Sequence, residues 1–291
     1  MAVKTASAIR IAPITEADAR RVAEFLHAHL NTRVSADRWA NAIAVPWEVE
    51  SPNAGFMLVD DEQVVGVQLA FYSERFIDGR VERFCNVGAW CVLPTYRLHA
   101  LRLLRAVLSQ EGYHFTDLSP SGSVVGINEK LDFRFLDTTT ALVPNLPWAT
   151  LPGRDLISSD PELIQRTLTA GDLELYRDHA AADAARHLAL IRGDEWCYVI
   201  FRKDRRKGLP FFATVLYVSH PPLFRAMARP LARHLLIYHG ALATLAEERI
   251  VRCRPRPSFL LRSPRRKMFR SESLAPAKVD DLYSELVCVA W

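Results

Sequence analysis

The spacing of apolar positions changes period often enough to divide the chain into elements. IRIAPI, at 9–14, alternates and predicts a strand. Thr15, with Asp18 three residues on, approximates a capping box and opens a helix whose Val22, Phe25, Leu26 and Leu30 share one face. A short helix follows over 36–43, and Pro46 and Pro52 punctuate a loop. GFMLVD at 55–60 and VVGVQLAFY at 64–72 read as two strands around an acidic turn, hence a hairpin. A third strand is predicted over 81–92. After Pro94 a helix opens at Leu98, with Leu101, Leu104, Val107 and Leu108 on one face and Gly112 at its C′ position. A strand at 115–118, a helix at 124–131 and a strand at 133–143 complete this half.

The stretch NLPWATLPGRD, at 145–155, carries two prolines and a glycine and marks a boundary between domains at 1–146 and 155–291. Asp160-Pro161 has the form of an N-cap with proline at the first helical position, and a helical pattern runs from there to about Ile191. Strands at 196–202 and 211–219 flank the basic turn RKDRRKGLP. A helix at 222–239 must kink or restart at Pro230, and a strand follows at 242–246. The tail at 280–291 is apolar with no decisive period. The order strand, strand, helix, strand occurs at 55–119 and again at 196–246, which predicts an ancient duplication without close sequence identity.

Composition narrows the class. With 291 residues, 49% hydrophobic and 24% charged, the chain has the globular balance and enough apolar material for two cores. No apolar run approaches the ~18 residues that cross a bilayer. MAVKTASAIRIAPITEADARR has no secretory h-region, and five cysteines without CxxC pairing read as reduced thiols, so a cytoplasmic location is expected. The net charge is +4, with nine Lys/Arg and no acid between Arg249 and Arg270. Such a run reads as a solvated segment, or as one attracting an anionic substrate, nucleic acid or acidic lipid. Pro255, Pro257 and Pro264 make it a loop, and no nucleic-acid-binding signature accompanies it, so nucleic acid is not expected as a partner. No Ser-His-Asp order, metal-ligand spacing or Gly-rich nucleotide fingerprint is present, and no metal is expected.

VGAWCVLPTYRLHALRLL, at 87–104, resembles the central motif of the GCN5-related N-acetyltransferases: a strand end, Pro, an aromatic and Arg, a loop and a leucine-rich helix. VGINEKLDFRFLD, at 125–137, resembles that family's second motif, a short helix running into Glu-Lys-Leu-Gly-Phe and a strand. The element order over 9–143 also matches. The resemblance implies an α/β (α+β) fold with a mixed sheet and flanking helices, in two tandem domains of this kind, the second degenerate. It implies an N-acyltransferase that moves an acetyl or other acyl group from acetyl-CoA or another acyl-CoA, as co-substrate, to the amine of a small molecule or amino sugar by direct attack.

By that resemblance the strand end at Trp90, Cys91 and Val92 takes the pantetheine, and Arg97, Leu98, His99, Ala100, Leu101 and Arg102 wrap the pyrophosphate. Backbone N–H groups at a helix start suit that anion. The family's loop is Arg/Gln-x-x-Gly-x-Gly/Ala; both glycines are missing here, and Arg102 stands where a small residue is usual. A backbone N–H near Val92 serves as oxyanion donor. Asn128 replaces the tyrosine that protonates the leaving thiolate, and can still hydrogen-bond to the sulfur. Asp132 replaces a glycine. Glu82, or Glu74, is the candidate base, against the plainer reading of an exposed strand residue. His99 and His114 read as solvated or cleft-facing, Tyr96 as packing. Cys85 and Cys91, six apart, share one strand face as core residues.

In the second half His220-Pro221-Pro222 stands where a phosphate loop would be, and proline lacks the N–H such a loop needs. That half is expected to have lost CoA binding and to shape the acceptor cleft. Two further readings stay open: an aminoacyl transferase of the peptidoglycan-bridge type, with the basic run 249–270 meeting its tRNA-linked donor, and a non-catalytic binding protein.

Overall fold

The computed structural model describes residues 9–149, 153, 155–206 and 209–290. Residues 1–8, 150–152 and 154 of the boundary stretch, 207–208 of the basic turn, and Trp291 lie outside the described residues. The first half runs β1 (Arg10–Pro13), α1 (Ala19–His29), α2 (Ala36–Ala44), β2 (Gly55–Asp60), β3 (Gln63–Ile77), β4 (Arg80–Val92), α3 (Ala100–Leu108), β5 (His114–Asp117), α4 (Gly122–Glu129), β6 (Arg134–Phe135) and β7 (Thr140–Pro144). The second half runs β8 (Leu156–Ser158), α5 (Pro161–Thr167), α6 (Ala170–His179), β9 (Arg186–Arg192), β10 (Glu195–Arg206), β11 (Leu209–Val218), α7 (Pro221–Ala226), α8 (Ala228–His239) and β12 (Ala243–Glu247). It ends with α9 (Glu248–Val251), β13 (Phe259–Leu261), β14 (Met268–Arg270) and α10 (Glu285–Cys288).

Two seven-stranded mixed sheets result, in the orders β1-β2-β3-β4-β5-β14-β6 and β8-β9-β10-β11-β12-β7-β13. The orders correspond position by position. In each, an antiparallel run is followed by a helical crossover to one parallel neighbour, β4 to β5 and β11 to β12. The expected duplication is therefore matched in strand order. The sixth position of each sheet is filled by the other half: β14 pairs with β5 and β6, and β7 pairs with β12 and β13.

This exchange corrects the strand expected over 133–143. It is two strands in different sheets, broken at Asp137, whose carboxylate accepts from the Thr139 N–H. A cut between 146 and 155 consequently does not follow the sheets, because the first half's last strand belongs to the second sheet. The helical pattern expected up to Ile191 also ends early, at His179. Leu188, Ala189 and Leu190 are all buried because both faces of β9 are covered, so the strand shows no alternation. Pro94 starts a 3-10 turn over Pro94–His99, and α3 begins at Ala100 rather than Leu98. That helix ends at Ser109, and Gly112, at φ 80°, serves the turn into β5. Pro230 sits in the first turn of α8, where a missing N–H costs no helical bond, and the chain restarts at Met227.

One core joins the facing sides of both sheets with α1, α2 and the tail: Val67, Leu69 and Phe84 share it with Tyr198, Ile200 and Leu216. Helices α3 and α4 cover the outer face of the first sheet, and α7 and α8 that of the second. Between the sheets runs the tail, buried at every residue from 281 to 289.

Candidate active site

Strands β4 and β5 pair only at Phe84–His114, Cys85–Phe115 and Asn86–Thr116, and then diverge. A β-bulge sits at the point of divergence. Val67 pairs with Cys91 and Leu69 with Gly88, so Ala89 and Trp90 together oppose Gln68, and Ala89 takes φ 49°. The extra residue reverses the alternation. Cys85 faces α3 and α4, whereas Cys91 packs on the inner core. The two thiols do not share a face, contrary to the count of six. Burial raises both thiol pKa values, Cys91 less deeply set than Cys85.

The divergence leaves a cavity of about 300 Å³ between β4, the chain after β5, and α4. It spans the sheet: Leu104, Val124 and Asn128 line the outer side, while Leu30, at the end of α1, lines the inner side with Gly88 and Ser119 nearby. Three buried polar side-chain atoms of its lining have no hydrogen-bond partner, Gln68 Oε1, Trp90 Nε1 and Asn128 Oδ1, and neither has Glu285 Oε2, which lies behind the lining residue Ser119. Buried polar atoms are seldom left unpaired, so the concentration at one cavity marks a place for a polar guest. Gln68 is held by donating to Gly88 O at 2.8 Å, which aims its free carbonyl.

Asn128 is fully buried and donates to Asp117 Oδ2 at 2.8 Å. Burial pushes the Asp117 carboxyl up to about 6, against the Asn128 and Ser119 hydrogen bonds that favour its charged form. Behind Ser119 lies Glu285, on the tail. The Ser119 hydroxyl donates to its Oε1 at 2.7 Å. Burial, and then the nearby Asp117 charge, push Glu285 up to about 7. Asp117, Ser119, Gln68 and Glu285 escaped the sequence reading. Asp117 ends a short strand and Ser119 lies in the unremarkable loop after it, and Glu285 is 166 residues from Ser119. No spacing rule links them.

The expected binding residues separate into two groups. Trp90, Cys91 and Val92 lie on β4 beyond its last pairing with β5, so their open strand edge faces the divergence. Arg97, Leu98 and Arg102 are exposed, Leu98 at 94%, and His99 Nδ1 meets Arg102 Nη1 at 3.0 Å. Leu101 turns inward against the α3–α4 core. The Ala100 N–H is committed to Arg97 O, because the 3-10 turn closes on itself where the glycine loop is absent. Tyr96 packs beside Val92 and donates to Asp60 at 2.6 Å. Asp132 adopts the left-handed conformation, φ 64°, that its replaced glycine would supply.

Glu82 is not at this cavity. It lies seven residues before Ala89, roughly 20 Å along the strand, and accepts from His114 Nε2 at 2.9 Å. His114 in turn meets Ser271 Oγ at 2.9 Å, so the histidine is a tie between β4 and the segment after β14. Glu74 is exposed. The corresponding divergence of β11 and β12, after Thr214–Leu245, is filled: Arg202, Arg265, Lys267 and Leu286 leave about 20 Å³. The basic run is also not a solvated segment throughout. Lys267 and Arg249 are buried against Glu247 and Asp281, Arg265 pairs with Asp204, and Arg254 with Glu248.

No family model matches the sequence. No curated protein matches it either. Solved structures do match. A GCN5-related N-acetyltransferase from Kribbella flavida aligns over 92% of this chain and 72% of its own, at 16% identity and TM-score 0.56. One from Anabaena variabilis aligns over 90% and 72%, at 12% identity and TM-score 0.56. The Saccharomyces cerevisiae N-myristoyltransferase, solved with bound myristoyl-CoA, aligns over 97% and 88%, at 10% identity and TM-score 0.51. The fold is that of the GCN5-related N-acetyltransferases, and the alignments span both halves. Among the described residues no helix is long and apolar enough to cross a membrane.

Proposed function

From a GCN5-related N-acetyltransferase fold whose first strand divergence is open and whose second is filled, we propose that this chain is an acyl-CoA-dependent N-acyltransferase acting on a small-molecule amine. The observation that carries the proposal is the cavity between β4 and β5, with its unpartnered Trp90 Nε1, Asn128 Oδ1 and Gln68 Oε1. A pantetheine arm brings amide N–H and C=O groups, and the open β4 edge at Trp90, Cys91 and Val92 can accept it like an added strand. A backbone N–H near Val92 is the oxyanion donor, and Asn128 stands at the sulfur end. A thioester is already activated, so positioning of the two reactants supplies much of the rate.

The pyrophosphate is held by charge more than by backbone amides. Arg97 and Arg102 project from the turn before α3 and its first residues, where the helix dipole adds to them. The aminoacyl-transfer reading draws less support, since the basic run is partly spent on internal ion pairs. Calorimetric titration with acetyl-CoA tests the proposal. Arg97→Ala and Arg102→Ala should each weaken binding by roughly ten- to hundredfold, the worth of one charged hydrogen bond. Parent protein that binds no acyl-CoA would refute the function; unchanged affinity in both variants would refute the placement.

A further inference from the structure

We propose that Ser119 and Glu285 form a relay that takes the proton of the acceptor amine, and that the acceptor arrives as an ammonium ion. The inference rests on the acyl-transfer reading and adds the identity of the proton acceptor and the charge of the substrate. The cavity passes through the first sheet. Its outer side, by α3 and α4, is the side of Arg97 and Arg102; its inner side is lined by Leu30, with the exposed Ser119 nearby. An acyl group delivered from the outer side therefore presents its carbonyl toward the inner side, where an amine must attack.

Ser119 is exposed to the cleft and donates to Glu285 Oε1 at 2.7 Å, while Glu285 Oε2 has no hydrogen bond. Glu285 cannot move away. Its own N–H donates to Asn86 Oδ1 at 3.1 Å, and its stem lies over Gly88, where an added Cβ would sit 3.2 Å from the Glu285 Cβ. The following residue is held by Arg202, which donates to Leu286 O at 2.7 Å. A second-half residue is thus fixed at a first-half cleft.

The proton balance is simple. The ammonium gives one proton to Ser119 Oγ as the Ser119 hydroxyl proton passes to Glu285. The free amine attacks the thioester carbon, the N–C bond forms, and the C–S bond then breaks. The second nitrogen proton leaves with the thiolate as the thiol, and Glu285 releases its proton to solvent. Among the described residues lining the cavity, Asp117 is the only ionisable one and no cation is present, which favours a positive guest. The charged and titratable groups around Glu285 are Asp117 across the cavity, Arg202 on β10 and Cys288 on α10. Burial and the Asp117 charge raise Glu285 to about 7, so it is a base of suitable strength near neutral pH.

The test measures thiol release from acetyl-CoA with a panel of primary alkylamines across the neutral range, in the parent, Ser119→Ala and Glu285→Gln. The parent's rate should fall on the acid side of about 7, as Glu285 takes up its proton. Both variants should lose on the order of 10²-fold or more in kcat, lose that acid limb, and bind acetyl-CoA within about twofold of the parent. A weakly basic amine, neutral throughout the range, should be far less affected by either change. Ser119→Ala decides the matter if Glu285→Gln fails to fold, because alanine at an exposed cleft position leaves the core intact. Parent-like rates and an unchanged acid limb in Ser119→Ala would overturn the relay. Acetyl-CoA binding without transfer to any alkylamine would overturn the ammonium acceptor, whereas no acetyl-CoA binding at all would overturn the function itself.

Discussion

Replacing Lys267 by Met should cost this protein a large part of its stability. The Lys267 side chain is 4% exposed, and its ammonium donates to Glu247 at 2.6 Å and to Asp281 at 2.5 Å. Arg249 contacts the same two carboxylates at 2.7 and 2.9 Å. Two buried cations thus balance two buried anions, joining the end of β12, the start of β14 and the tail. Methionine fills the volume but leaves one anion uncompensated. Breaking a buried pair by removing one partner costs about 3–5 kcal/mol, and the remaining Arg249 places this case near 3. For a chain of this size that corresponds to a fall in Tm of roughly 6–12 °C, read by calorimetry at pH 7.

The pH dependence has a defined sign. Burial alone would raise the Asp281 carboxyl, but Lys267, and then Arg249, hold it below its ordinary 3.8. Its contribution is therefore present above that value and is lost as pH falls through the lower folded pKa. Without Lys267 the folded pKa rises, so the penalty is greatest at neutral pH and shrinks in acid. Adding Glu247→Gln to Lys267→Met removes the surplus charge and should recover part of the loss. A Tm for Lys267→Met within about 2 °C of the parent at pH 7 would refute the reasoning.

Two further outcomes are expected. Gly55→Ala should destabilise by at least about 2 kcal/mol in urea unfolding, because Gly55 has φ 111° and an added Cβ would lie 2.1 Å from Gln68 O; an unchanged urea midpoint would show that the β2–β3 hairpin can shift. His179 is fully buried, accepts from the Tyr283 N–H through Nε2 and meets Leu175 O through Nδ1, and burial lowers its pKa to about 4. The unfolded chain takes up that proton near 6.5 and the folded one does not, so stability on the order of 3 kcal/mol is lost as pH falls from 6.5 to about 4; His179→Gln should flatten that slope, and an equal slope in both proteins would exclude this histidine as its source.

Local physics made much of the first half legible. The hairpin of β2 and β3, the capped helix α1, and the ordered pair of motifs around β4–α3 and α4 depend on neighbours within a few turns of chain, and their periods survive in the sequence. Pro161 and Asp160 named the start of α5 for the same reason, with Asp160 accepting from the Glu162 N–H. The duplicated order of strands was legible too, because element order outlasts residue identity. Elements buried on both faces were not, since β9 and the tail carry no polar side to set a period. The bulge at Ala89 was also invisible: one added residue reverses which face each later side chain takes, and nothing in the spelling of the strand announces it.

The sequence by itself determined most strands and helices of the first half, the order of elements that recurs in the second, and where a strand end meets a helix near Arg97. Only the tertiary structure decided that β7 and β14 trade sheets, that Lys267 and Arg249 are spent inside the core, and that the second divergence is plugged. It also decided the chemistry of the cleft, since Glu82 lies far from it and Glu285 lies against it. Those outcomes turn on contacts beyond the reach of local periodicity, from Lys267 with Glu247, 20 positions apart, to Ser119 with Glu285, 166 apart. Periodicity and spacing act over one or two turns of chain, and burial in a shared core acts across all of it.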